Sequence, residues 1–216
     1  LDVPGILWRI FPLGDPPDYE PPREASIAGI AEREGRPSEE VLYDHMLRDD
    51  ARELLLLPFV NYSNGDLEPM REMIDHPDTV LSLGDGGAHC GLICDASLTT
   101  FMLSHWVKGR TRGPKIPLAQ SVQRMTQHTA ALYGLLDRGV LAPGYKADLN
   151  VIDPERIELR RPEMAYDLPG GARRLLQRAD GYDCTLVSGE VVMQGGEPTD
   201  ARPGRLLRGA QKSPRA

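Results

Sequence analysis

Thr79-Val80-Leu81-Ser82-Leu83-Gly84-Asp85-Gly86-Gly87-Ala88-His89 is the stretch on which the reading of the fold turns. Its first residues have the apolar, β-branched bias of a short buried strand, and they run straight into a glycine-rich segment carrying one carboxylate. A strand ending in an ionisable residue among glycines fits the mouth of a β/α barrel, where active sites gather at the C-terminal strand ends. Two readings of Asp85 stand at this point. Beside a reacting water, its carboxylate can take the water's proton and hand it to a leaving amine. Alternatively, it caps the turn that follows.

Upstream, Leu1 to Arg23 holds six prolines and no sustained period, and reads as an extended loop. Ser26 to Glu34 fits a short helix ending at Gly35. Ser38, with Glu39 and Glu40 behind it, opens a second helix whose period runs through Val41, Leu42, His45 and Met46 to about Asp50. Glu53 to Val60 reads as a buried strand ended by the turn residues Asn61 to Gly65. Asn61 would then face the barrel mouth, either to contact substrate or to serve the turn. Asp66 starts a helix through Met70, Met73 and Ile74 that stops at His76-Pro77. Downstream, Ser97 to Val107 and Pro117 to Leu135 have helical period. This alternation is the rhythm of parallel β/α units and predicts an α/β fold.

Past Gly139 the rhythm changes. Ala147 to Ile152 alternates as a strand, and Thr185 to Val192 reads as a hairpin closed by Ser188-Gly189. The division expected is residues 1–140 and 141–216, with a flexible tail after Arg202. Two parallel strands do not close a sheet, and a full barrel takes about 250 residues. The sequence therefore reads as a section of something longer.

The run from Leu81 to His89 resembles the last barrel strand of the amidohydrolase superfamily, whose aspartate acts at a metal centre. Later stretches are similar to its N-acyl-D-amino-acid deacylase branch: Pro117-Leu118 leading to Arg124-Met125-Thr126 and Thr129-Ala130, then Tyr133 to Leu141. Pro143-Gly144-Tyr145-Lys146-Ala147-Asp148 running to Asp153 resembles the return strand of that branch's small β domain. Val187 to Val192, with Gly195-Gly196, is similar to its closing hairpin, and Pro203-Gly204-Arg205 to its end. The resemblance implies the C-terminal portion of a distorted TIM barrel plus part of a small β-sandwich. It also implies metal-dependent hydrolysis of an amide C–N bond in an acylated amine, with one or two zinc ions in the parent enzyme. Asp85 is implied as catalytic residue and metal ligand.

Three departures accompany it. The family's His-x-His and its further metal ligands have no counterpart, so zinc is not expected to be retained by this piece alone. The arginine that holds the substrate carboxylate is replaced by His89-Cys90-Gly91-Leu92-Ile93-Cys94-Asp95. Gly84 stands where a serine is usual, a change read as neutral for the chemistry. His89, four residues after Asp85, has two readings, substrate contact or a satisfied loop histidine. The alternative for the whole chain is a catalytically inert structural or association piece.

With 40% hydrophobic residues the chain can bury a core. Three cysteines do not make a disulfide framework and suit a reducing, cytoplasmic location. Cys90 and Cys94 lack the second motif that a structural zinc site needs. The longest apolar run, Leu54 to Val60, is too short to span a bilayer, and no signal peptide is legible. A net charge of −7 argues against nucleic acid as partner. The first hundred residues carry 20 acidic and 7 basic side chains and the remainder 12 and 18, so basic residues of the second half offer either an anion patch or ordinary surface. Apolar strand faces without neighbours predict a homo-oligomer.

Overall fold

The computed structural model describes residues 3–81 and 84–214. They form two compact units, one through Thr79 and one from Val80 onward, and both mix helices with strands.

In the first unit a short α1 (Val3–Ile6) precedes β1 (Phe11–Pro12). Next comes α2 (Ile27–Glu34), bounded by the signals its sequence carries. Ser26 accepts a hydrogen bond from the Gly29 amide at 3.1 Å, and Gly35 closes the helix in the left-handed conformation that favours glycine. Helix α3 (Ser38–Met46) stops short of Asp50. The turn α4 (Arg48–Ala51) follows it, with Asp49, Asp50 and Ala51 at φ of 50°, 52° and 61°. Leu7, Ile10, Ile27, Ala31 and Val41 bury together as the core, with Leu42 and Leu55 packed against them.

The buried strand expected over Glu53 to Val60 contracts to β2 (Leu55–Leu56), which pairs antiparallel with β1. Pro58 has no N–H to continue a ladder, and Leu57, Phe59 and Val60 are exposed. The Pro58 and Phe59 carbonyls instead accept from the Arg9 guanidinium at 2.5 and 3.0 Å. Helix α5 (Glu68–Asp75) ends at His76, as its Pro77 dictates.

The second unit begins where the second parallel strand was expected. Thr79, Val80 and Leu81 belong to no strand, the Thr79 amide donating back to the His76 carbonyl at 3.3 Å, and Ser82 and Leu83 lie outside the described residues. Helix α6 (Leu98–Phe101) continues as a wider π-helical stretch, Met102–Gly109. A second helical run is built as α7 (Leu118–Gln123), a π-helical stretch Arg124–His128, and α8 (Thr129–Leu132). Met102, Leu103, Trp106 and Ile116 bury with Ile157 and Leu159. The buried Arg110 lies over the Trp106 ring at 4.8 Å.

The expected change near residue 140 marks a shift from helices to strands inside this unit. A four-stranded antiparallel sheet has the order β10 (Glu197–Pro198), β9 (Glu190–Gln194), β8 (Tyr182–Val187), β3 (Leu149–Ile152). Its hairpin turns at Ser188 and Gly189, both at positive φ, 53° and 84°, as a two-residue hairpin requires. Further antiparallel pairs are β4 (Glu158–Leu159) with β7 (Ala179–Asp180) and β5 (Glu163–Leu168) with β6 (Ala172–Leu176).

Among the described residues every pair of named strands is antiparallel, and the parallel β/α pairing expected from the sequence is not seen among them. Two β2 residues do not reach a parallel neighbour, and they pair with β1 instead. The segment after Arg202, expected to be a flexible tail, returns to the residues just beyond α8: the Gln211 amide donates to the Gly134 carbonyl at 2.8 Å and its carbonyl accepts from the Leu136 amide at 3.2 Å.

Candidate active site

Asp85 opens a glycine-rich loop that runs to the foot of α6. Its carbonyl accepts from the Ala88 amide at 2.8 Å, a tight turn in which Gly87 sits at φ 99°. His89 follows at φ 45°, and its carbonyl accepts from the Leu92 and Ile93 amides at 2.7 and 3.0 Å. Both Asp85 and His89 are exposed. The loop is tied down twice. The Leu175 amide of β6 donates to the Cys90 carbonyl at 2.7 Å. At the root, the Asp85 amide donates to Asp95 Oδ2 at 2.7 Å, ten residues along the chain.

These ties leave the Asp85 carboxylate on the surface while its main chain is fixed. That suits a group that must meet water and a substrate at a defined place. His89 shares the loop and projects from a strained position four residues on. Asn61 lies in the other unit, exposed, at φ 61°. Its neighbour Tyr62 anchors that turn: it is buried, and its hydroxyl donates to the Pro21 carbonyl at 2.6 Å. Buried Glu20 adds an acceptor for the Leu67 amide at 2.9 Å. Glu20 and Pro21 of the opening segment thus help to hold the turn that carries Asn61.

The three cysteines are free thiols. Cys90 Sγ donates to the Gly87 carbonyl at 3.2 Å. Burial, and then the nearby Asp95 charge, push the Cys94 thiol up from its ordinary range, which disfavours the thiolate that a nucleophile or metal ligand must be. Among the described residues no group of three or more His, Cys, Asp or Glu could hold a metal ion. The side chains described here therefore do not fit a zinc site of their own. Asp95 and β6 are the parts of this site that motif reading missed. Asp95-Ala96-Ser97 signals a helix start, but its use by a residue ten positions earlier is a tertiary contact.

The chain is 32% identical over 92 residues to an N-acyl-D-aspartate deacylase of Alcaligenes xylosoxydans xylosoxydans, covering 43% of this chain and 17% of the relative. A D-aminoacylase of the same organism is 36% identical over 91 residues, 42% of this chain and 17% of the relative. A 5-methylthioadenosine/S-adenosylhomocysteine deaminase of Pyrococcus horikoshii is 30% identical over 129 residues, 60% of this chain and 30% of the relative. The crystal structure of a D-aminoacylase superposes with a TM-score of 0.46 and 21% identity, covering 91% of this chain and 37% of that one. The chain thus spans less than a third of the length of each of these curated relatives. The family model for the Amidohydrolase family matches residues 18–193, most of the chain, and the chain belongs to that family.

Proposed function

We propose that this chain is part of a hydrolase that cleaves a non-peptide C–N bond, the amide of an N-acyl-D-amino acid or a related acylated amine, with Asp85 as the working carboxylate. The observation that carries the reading is the family match across residues 18–193, with an exposed carboxylate on an anchored glycine-rich loop inside it. In this reaction the oxygen of water bonds to the acyl carbon while Asp85 accepts the water's proton. The C–N bond then breaks and the proton passes to the departing nitrogen, leaving a carboxylic acid and an amine. His89 and Asn61 are proposed to contact substrate. The family portion is proposed to come from a distorted TIM barrel with part of a small β-sandwich. Zinc, one or two ions, is proposed as cofactor of the longer protein, with Asp85 as one ligand among others held by residues elsewhere. Free thiols favour the cytoplasm.

The test is Asp85→Asn in the full-length protein, assayed on a panel of N-acyl-D-amino acids. Turnover should fall by about a hundredfold to ten-thousandfold, the usual contribution of a positioned acid–base group. A variant with near-normal turnover sinks the assignment. Deaminases among the relatives supply a second reading, in which an exocyclic amine is lost as ammonia. Ammonia released from a purine nucleoside, with acyl-amino acids untouched, would favour it. For the chain taken alone, the missing ligand group among the described residues favours a further reading, an inert structural or association piece.

A further inference from the structure

We propose that Asp95 is the positioning residue of this site, its carboxylate holding the main chain of Asp85 and so fixing where the Asp85 side chain projects. The inference rests on the reading of Asp85 as the acting carboxylate. Its first support is the root of the loop, where the Asp85 amide donates to Asp95 Oδ2 at 2.7 Å, a charge-assisted bond of the stronger kind. The second support is space. A Cβ on Gly84 would lie 2.5 Å from Asp95 Oδ2 and 2.8 Å from its Cγ. A Cβ on Gly86 would lie 2.8 Å from the Ala96 Cβ. Both neighbours of Asp85 thus lack side chains at the points where the 95–96 segment comes against them. The other Asp95 oxygen, Oδ1, is shielded from solvent and has no hydrogen-bond partner. A carboxylate with one oxygen withdrawn from water depends more on the bond its other oxygen makes. A capping role for the side chain does not explain it: the Leu98 amide donates to the main-chain carbonyl of Asp95 at 3.1 Å, and α6 has no side-chain cap.

The experiment is NMR-detected amide exchange on the full chain. In Asp95→Ala, the Asp85 amide should exchange at least about tenfold faster, the effect of losing one charge-assisted bond. The Ala88 and Ile116 amides, which donate to Asp85 and Trp106 carbonyls, should keep their rates. Asp95→Asn retains an acceptor oxygen and should restore most of the protection. An unchanged Asp85 amide in Asp95→Ala, or acceleration of all three amides together, would overturn the proposal. If Asp95→Ala does not fold, Gly84→Ser decides, because its Cβ takes the carboxylate's place; an Asp85 amide as protected as in the parent chain overturns it there. The two readings fail separately. Asp85→Asn tests the chemistry and should leave its own amide protected, whereas Asp95→Ala in the full-length protein should lower kcat more than it raises KM, and Asp95→Asn should recover most of that loss.

Discussion

A serine at position 84 would set its Cβ 2.5 Å from the Asp95 carboxylate and 2.9 Å from a Leu98 methyl. Gly84 reads from the sequence as neutral for the chemistry, and the packing adds a steric constraint beside Asp95. Gly84→Ser should therefore cost about 1–3 kcal/mol of stability, the range for overpacking, measured by urea denaturation. The close approach at the loop that carries Asp85 and His89 was legible, because glycine clusters announce close backbone contacts. Asp95 was not, since a carboxylate at a helix start looks like any cap until its partner is known. At the same scale, Ser26 and Gly35 were legible as helix boundaries, because cap chemistry is local and acts within four residues. Ser26→Ala should cost about 1 kcal/mol, its side chain being buried and bonded to the Gly29 amide.

Helices survived from sequence to structure better than strands. The helical period over Ser97 to Val107 and Pro117 to Leu135 returned as two helical runs, although each widens into a π-helical stretch that periodicity does not reveal. The antiparallel hairpin at Ser188-Gly189 was legible because its turn residues specify it. The apolar run from Glu53 to Val60 misled, because apolar composition records a preference for burial and not what does the burying. Pro58 was the local clue, since it ends any ladder at Leu57. Arg9 holds the chain beyond it through the Pro58 and Phe59 carbonyls, a contact across 50 positions that no window of sequence contains.

Across the second unit, one ion group joins the helical and β parts. Arg138 donates to Asp137 and to Asp148, both at 2.9 Å, and Asp148 also accepts from the Ser188 amide at 2.8 Å. The Arg138 hydrogen bond holds the Asp137 carboxyl below the ordinary carboxylate range. A depressed folded pKa means that the unfolded chain binds the proton first. The stabilisation is then present above the unfolded carboxylate pKa and lost as pH falls through the folded one. Thermal melts should drop on the acid side of that range, and Arg138→Ala should flatten the drop while lowering stability near neutrality by about 1 kcal/mol. Apolar exposure is a second whole-molecule property. Phe59, Val60, Leu92 and Leu141 are 78%, 65%, 81% and 85% exposed. Self-association of the chain should follow, with a scattering mass above 23.8 kDa that rises with concentration; a monodisperse monomer would count against it. Charge asymmetry and length were readable from composition, whereas the pairing of β1 with β2 and of β3 with β8 was not, because those partners lie far apart in sequence.

The loop between Asp85 and Asp95 is closed at its root by its own two end residues. The span between them is pinned once more, at Cys90 by the Leu175 amide, so lengthening it on either side of Cys90 costs little: doubling a flexible loop adds only about 0.6 kcal/mol. Descendants of such a sequence can trade residues such as His89 and Leu92 for others, and so change what the loop touches. The carboxylate they inherit stays where it was.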